Sequence, residues 1–110
     1  MPRFIVTGSY TPAAMKAVIE NPSDREAAAR SLVEAAGGTL ESYYLTTGEN
    51  DFAIKVTIDD ISDLLAGLLV TGASGAVSNL KTVRAFTSDE FTAIQKKAGK
   101  IASAYKAPGG

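Results

Sequence analysis

The sequence predicts an α+β fold of the ferredoxin-like kind: a βαββαβ order forming one four-stranded antiparallel sheet with helices on one face, plus a C-terminal helix. Three observations predict it. Phe52, Ile54, Val56 and Ile58 alternate strictly with Ala53, Lys55 and Thr57, the period of a strand with one buried face. Capping residues and glycine or proline stops bracket the helical stretches. The elements then run strand, helix, strand, strand, helix, strand, helix, the order of a split βαβ unit.

Each element has its own signal. Phe4 to Ser9 favours extended structure, with Gly8 allowing a close approach. Thr11-Pro12 opens a helix as N-cap and first helical residue. Asn21-Pro22 interrupts it, because a residue before proline avoids helical angles. Ser23 and Glu26 have capping-box spacing, and Gly37-Gly38 stops the second helical piece. The two pieces read as one bent arm. Thr39 to Thr47 and Phe52 to Ile58 are strands joined through Gly48-Glu49-Asn50-Asp51. Asp59-Asp60 starts a helix whose apolar stripe is Ile61, Leu64, Leu65, Leu68 and Leu69, and Gly72 to Gly75 reads as a loop. The fourth strand lies within Ala76 to Phe86, and its alternation leaves two choices open. Either Leu80, Thr82, Arg84 and Phe86 or Lys81, Val83 and Ala85 face the helices. Thr87 and Glu90 form another capping box, opening a last helix that runs to about Ala104. One domain is expected over residues 1–106, with 107–110 as a flexible tail.

Composition narrows the function. At 110 residues with 45% apolar side chains, the chain is long enough for a core without covalent staples. With 11 basic and 12 acidic residues, there is no excess positive charge to bind a nucleic-acid backbone or an anionic membrane. The third strand also lacks the stacking aromatics by which an RNA-recognition sheet holds bases. There is no cysteine and no histidine, which removes thiol nucleophiles, the serine–histidine triad and the common zinc sites. No metal or other cofactor is expected. The start of the chain lacks the pattern of a secretory leader and the longest apolar run, Leu64 to Val70, is too short for a bilayer, so a cytoplasmic location is expected.

Five residues are candidate ligand contacts: Tyr44, Asn50, Asp51, Lys55 and Arg84. Asn50 and Asp51 can orient a small ligand at a pocket mouth, or simply make the turn that Gly48 and Asn50 favour. Arg84, set among Val83, Ala85 and Phe86, calls for an anionic partner. Asp51, Glu49 or a ligand carboxylate can supply it. Lys55 can act as an amine of lowered pKa or lift its charge to water. Tyr43 and Tyr44 point to opposite faces of their strand and offer apolar area with a hydrogen-bonding tip. Gly72-Ala73-Ser74-Gly75 lacks the lysine and spacing of a phosphate loop. Lys96, Lys97 and Lys100 form a solvated helix face near the negative helix end.

Gly48-Glu49-Asn50-Asp51-Phe52 followed by Ala53-Ile54 resembles the signature of the GYD domain family. The segment from Pro22 to Arg30, the Gly37-Gly38 stop, Tyr43-Tyr44-Leu45-Thr46, and Arg84-Ala85-Phe86-Thr87 with Glu90-Phe91 agree with it in order and spacing. The chain departs from the family at Asn50, where a tyrosine is usual. The resemblance implies a ferredoxin-like subunit similar to dimeric α/β-barrel proteins, in which sheets pack face to face and larger rings can form. It implies no reaction. The expectation is a homodimer or larger ring that binds a small polar or anionic molecule at the sheet face or subunit interface. A cofactor-independent enzyme using Asp51 or a tyrosine for acid–base chemistry, and a purely structural assembly subunit, are the alternatives.

Overall fold

The structure, a computed structural model, describes residues 1–109; of the expected tail, Gly110 lies outside the described residues. Four strands, β1 (Arg3–Tyr10), β2 (Thr39–Leu45), β3 (Phe52–Thr57) and β4 (Val77–Ala85), form one antiparallel sheet in the order β2-β3-β1-β4. Helices α1 (Pro12–Glu20), α2 (Arg25–Ala35), α3 (Ile61–Ala73) and α4 (Ser88–Ile101) complete the chain, with a short 3-10 turn over Ala102–Ala104. This is the ferredoxin-like α+β arrangement.

The alternation in β3 places Phe52, Ile54 and Val56 in the core, beside Phe4 and Val6 of β1 and Leu40 of β2. Val33 of α2 and Leu64 of α3 close over them. Val6 and Val56, at the sheet centre under the helices, are 0% exposed. Gly8 sits where a Cβ would come within 2.6 Å of the Phe52 ring, so its missing side chain makes room for that ring. Opposite Gly8, β4 carries a bulge: Asn79 adopts φ 54°, and the register shifts between Thr7 and Ser9.

Register resolves the open choice on β4. Thr82 pairs with Val6 and Arg84 with Phe4, so Leu80, Thr82 and Arg84 share the helix side while Lys81, Val83 and Ala85 take the other. Helix caps follow the sequence at three ends. Thr11 accepts the Ala14 N–H, and the Thr87–Glu90 box forms in full. Gly37, at φ 90°, completes a Schellman stop in which the Gly38 N–H donates to the Val33 carbonyl at 3.0 Å. Two expectations are corrected. Asp24, not Ser23, caps α2 by accepting from the Ala27 N–H. Glu26 is instead drawn to Arg30 at 2.8 Å, and Arg30 also donates to the Leu40 carbonyl. Helix α3 runs through Gly72 to Ala73, and the turn comes at Gly75, which alone there has positive φ.

Helix α4 stands apart. Its first turn is tied down, with Arg3 meeting Glu90 at 3.2 Å, but none of its residues is buried and it packs extensively only on the following 3-10 turn. The molecule is therefore elongated, 62 × 32 × 22 Å, with a radius of gyration of 18.2 Å. A compact chain of this length would have roughly 13 Å.

Candidate functional site

Among the described residues, no helix packs extensively on the sheet face opposite α2 and α3. That face is built from the odd residues of β1 and their cross-strand partners: Ile5 lies between Lys55 and Val83, and Thr7 between Ala53 and Lys81. On β2, a bulge at Glu41 resets the alternation so that Ser42 stands opposite Lys55 and Tyr44 opposite Ala53. The Thr57 hydroxyl donates to the Glu41 carboxylate at 3.0 Å across the same face. Ile5, Tyr44 and Val83 remain exposed there, Val83 at 56%.

The charges on this face are mostly paired. Arg3 meets Glu90, and Lys81 meets Glu49 at 3.5 Å. Lys55 is half-buried at the middle of the face and has no acidic partner among the described residues. Its neighbours across the strands are Ile5 and Ser42, with Tyr44 one step along. An ammonium in that setting, flanked by apolar side chains and a phenol, suits an anionic or polar group laid on the sheet.

The five candidates do not gather at one point. Tyr44 and Lys55 share the open face. Asn50 and Asp51 occupy the β2–β3 connection at the end of the sheet where β1 finishes. There the Asp51 carboxylate accepts the Tyr10 N–H at 2.9 Å, and the Asp51 N–H donates to the Gly8 carbonyl at 2.8 Å. These bonds clamp the hairpin to β1. The Asn50 carbonyl accepts from the Thr46 hydroxyl, while its side-chain Oδ1 is buried without a partner among the described residues. Arg84 lies at the opposite end of the sheet and is not paired with Asp51 or Glu49. Its guanidinium lies 4.3 Å from the centre of the Phe86 ring and 5.7 Å from that of Phe4, and it donates to the Arg3 carbonyl. Aromatic faces and a backbone oxygen thus take the part assigned to a carboxylate.

One pair was not singled out from the sequence. The hydroxyls of Tyr10 and Tyr43 hydrogen-bond on the helix side of the sheet, 33 positions apart in the chain. Burial, and then the neighbouring Tyr10 hydroxyl, push the Tyr43 phenol well above its ordinary pKa. Strand parity was the available signal: Phe4, Val6, Gly8 and Tyr10 share one face of β1. Among the described residues, no group of three carboxylates comes together to hold a metal ion, and no helix is long and apolar enough to cross a membrane.

Comparison with known proteins agrees with this architecture. A sequence model described as GYD domain matches residues 4–95. No curated protein sequence matches the chain. Similar solved structures include FFRP-DM1, at 17% identity and TM-score 0.52, covering 78% of this chain and 100% of that one. TTHA0845 from Thermus thermophilus is similar at 17% identity and TM-score 0.52, covering 80% and 96%. The transcriptional regulator NMB0573 from Neisseria meningitidis, in complex with L-Met, is similar at 14% identity and TM-score 0.50, covering 79% of this chain and 51% of that one. At such identities the likeness is one of fold.

Proposed function

The chain belongs to the GYD domain family, and from that premise we propose that it serves as one subunit of a homo-oligomer whose open sheet faces pair and hold a small anionic molecule against Lys55 and Tyr44. The observation that carries this reading is the uncovered sheet face itself, apolar at Ile5 and Val83 around an unpaired Lys55.

Surface area supports the pairing. The subunit exposes 7454 Å² at 11.4 kDa. A compact monomer of that mass exposes roughly 5,800 Å². The excess, roughly 1,700 Å², is ample for one side of a standard protein interface, which takes roughly 800 Å². Helix α4 supplies part of it. Phe91, Ile94 and Ile101 form a stripe at helical spacing, with Phe91 57% and Ile101 69% exposed, and Tyr105, in extended backbone just beyond the 3-10 turn, is 73% exposed. A second copy of the chain is the natural cover for such a stripe, since the stripe finds no core in its own subunit.

Pairing two such faces would bury two Lys55 ammoniums. Burying an unpaired charge is costly, so the assembly needs an anion beside each. The acids of the same face are already engaged, Glu49 by Lys81 and Glu41 by Thr57. A small carboxylate or phosphate fits the need, with Tyr44 offering a hydroxyl to it. A structural neighbour of the same fold crystallised with L-Met gives the reading a parallel, though not a ligand.

Native mass spectrometry of the protein purified without added ligands tests both halves. The expected result is a dimer or larger ring carrying extra mass, with Lys55→Gln keeping the subunit number and losing the mass. A bare oligomer overturns the ligand and leaves an assembly subunit. A monomer overturns the reading entirely.

A further inference from the structure

On the other side of the sheet, between α2, α3 and the strands, lies a cavity of about 280 Å³. Its floor is Val6, Phe52 and Ile54, and its walls include Leu32 and Leu64. Protein interiors are packed so closely that spaces larger than a water molecule are few. This space follows from the sequence: α2 presents Ala28 and Ala29, its C-cap is Ala36, and α3 presents Gly67, where longer side chains would have met above the sheet. An aliphatic cavity of about 150 Å³ already takes up benzene. Pockets for small molecules begin at roughly 300 Å³. The cavity therefore matches a molecule of one or two rings.

Its polar lining is sparse and mostly engaged. The Thr71 hydroxyl donates to the Gly67 carbonyl, and the Ser74 hydroxyl to the Thr71 carbonyl. Arg25 reaches the Ser23 hydroxyl at the exposed rim. Apart from the other Arg25 N–H groups at that rim, this leaves the Tyr10–Tyr43 pair inside the cavity. Two phenols joined by one hydrogen bond use one of their two O–H groups on each other, so the second remains available to an acceptor.

We propose that this cavity binds a small, neutral, largely apolar molecule of one or two rings, with a single carbonyl-type acceptor taking the free hydroxyl of the Tyr10–Tyr43 pair. The site is on the opposite face from Lys55, so it stands or falls separately from the sheet-face reading.

Methyl-resolved NMR titration with acetophenone, which has one acceptor, and ethylbenzene, its near-isostere without one, tests the site in the whole chain. Both probes are expected to shift the methyls of Leu32, Ile54 and Leu64, acetophenone binding about fivefold more tightly, as one net hydrogen bond allows. The double variant Tyr10→Phe with Tyr43→Phe, which removes both hydroxyls, is expected to abolish that preference while keeping ethylbenzene binding; Tyr43→Phe alone leaves the Tyr10 O–H free to donate. Ala29→Phe, which fills the space, is expected to abolish both. Absence of shifts at these methyls, as when a neighbouring subunit's side chain fills the cavity, overturns the proposal. So does binding that Ala29→Phe leaves unchanged, or an acetophenone preference that survives loss of both the Tyr10 and Tyr43 hydroxyls. Should Ala29→Phe fail to fold, the comparison with the double Tyr10→Phe, Tyr43→Phe variant decides alone.

Discussion

The two faces of the sheet are made by alternate residues of the same strands, yet they obey different rules. The helix side of β1 and β3 carries Phe4, Val6, Phe52, Ile54 and Val56, all buried within one subunit. The opposite side carries Ile5, Thr7, Ala53 and Lys55, with exposed Val83 and Tyr44 around them. The first face is completed by the chain's own helices. The second mixes apolar residues with one unpaired cation, a composition that suits neither plain water nor a plain core. The difference teaches that hydrophobic alternation identifies the face a chain covers by itself, whereas the face it leaves open keeps a mixed pattern.

The largest expected effect breaks the covered face. Ile58 is fully buried beside the sheet, and Ile58→Ala should cost about 2–5 kcal/mol of folding stability. Chemical denaturation measures it. Because the loss sits inside one subunit, it should be the same at low and high protein concentration.

A change on the open face should behave in the opposite way. Val83→Asp places a carboxylate where a second sheet is proposed to pack. It should weaken association by about 2 kcal/mol or more, the scale of a buried unpaired polar group. The isolated subunit should change by no more than about 0.5 kcal/mol, as at other exposed positions. Sedimentation across a concentration series separates the two numbers. A Val83→Asp protein that unfolds more readily as a monomer would mean that this face is covered within the subunit.

These contrasts also explain what was legible in the sequence. The buried face of β3 was readable because Phe52, Ile54 and Val56, with Ile58 just beyond the strand, alternate without exception. Arg84 and Val83 compete for the inside of β4, and the bulge at Asn79 breaks the count from the strand's start, so only pairing with β1 decides between them. Local capping was legible at Thr87 and Glu90, where the Glu90 carboxylate accepts from the Thr87 N–H and from Arg3 alike. It misled at Ser23, where Asp24 is the nearer acceptor and Arg30 claims Glu26. The candidate site was the least readable part. Parity is enough to separate Tyr43 from Tyr44. The distance between Asp51 and Arg84, and the meeting of Tyr10 with Tyr43, are properties of strand order that no local pattern carries.

A smaller effect concerns the helix that leaves the body. The Thr87 hydroxyl accepts the Glu90 N–H at 3.1 Å, and the Thr87 N–H donates back to the Glu90 carboxylate at 2.8 Å. Thr87→Ala should cost about 1 kcal/mol. With α4 unsupported by its own subunit, that loss should show as faster amide hydrogen exchange across α4, with the sheet unchanged. If two copies bury the α4 stripe, the difference should shrink as protein concentration rises.

The smallest effect at neutral pH comes from the covered tyrosine. Tyr43 holds its proton more tightly in the folded chain than in the unfolded one, first because burial disfavours the phenolate and then because Tyr10 bonds to its hydroxyl. Below pH about 10 both states keep the proton, so its contribution to stability is fully present. Above that pH the unfolded chain loses the proton while the folded chain retains it, and stability falls with rising pH. Tyr43→Phe removes that proton from both states. The decline in stability of the variant above pH about 10 should therefore be shallower than that of the wild type, by up to about one proton per chain in the slope of unfolding free energy against pH. Denaturation midpoints collected from about pH 9 to about pH 11.5, a range spanning the ordinary tyrosine pKa, measure it. Equal slopes would mean that the Tyr43 hydroxyl meets water, and that the helix side of the sheet is as open at this point as the face behind it.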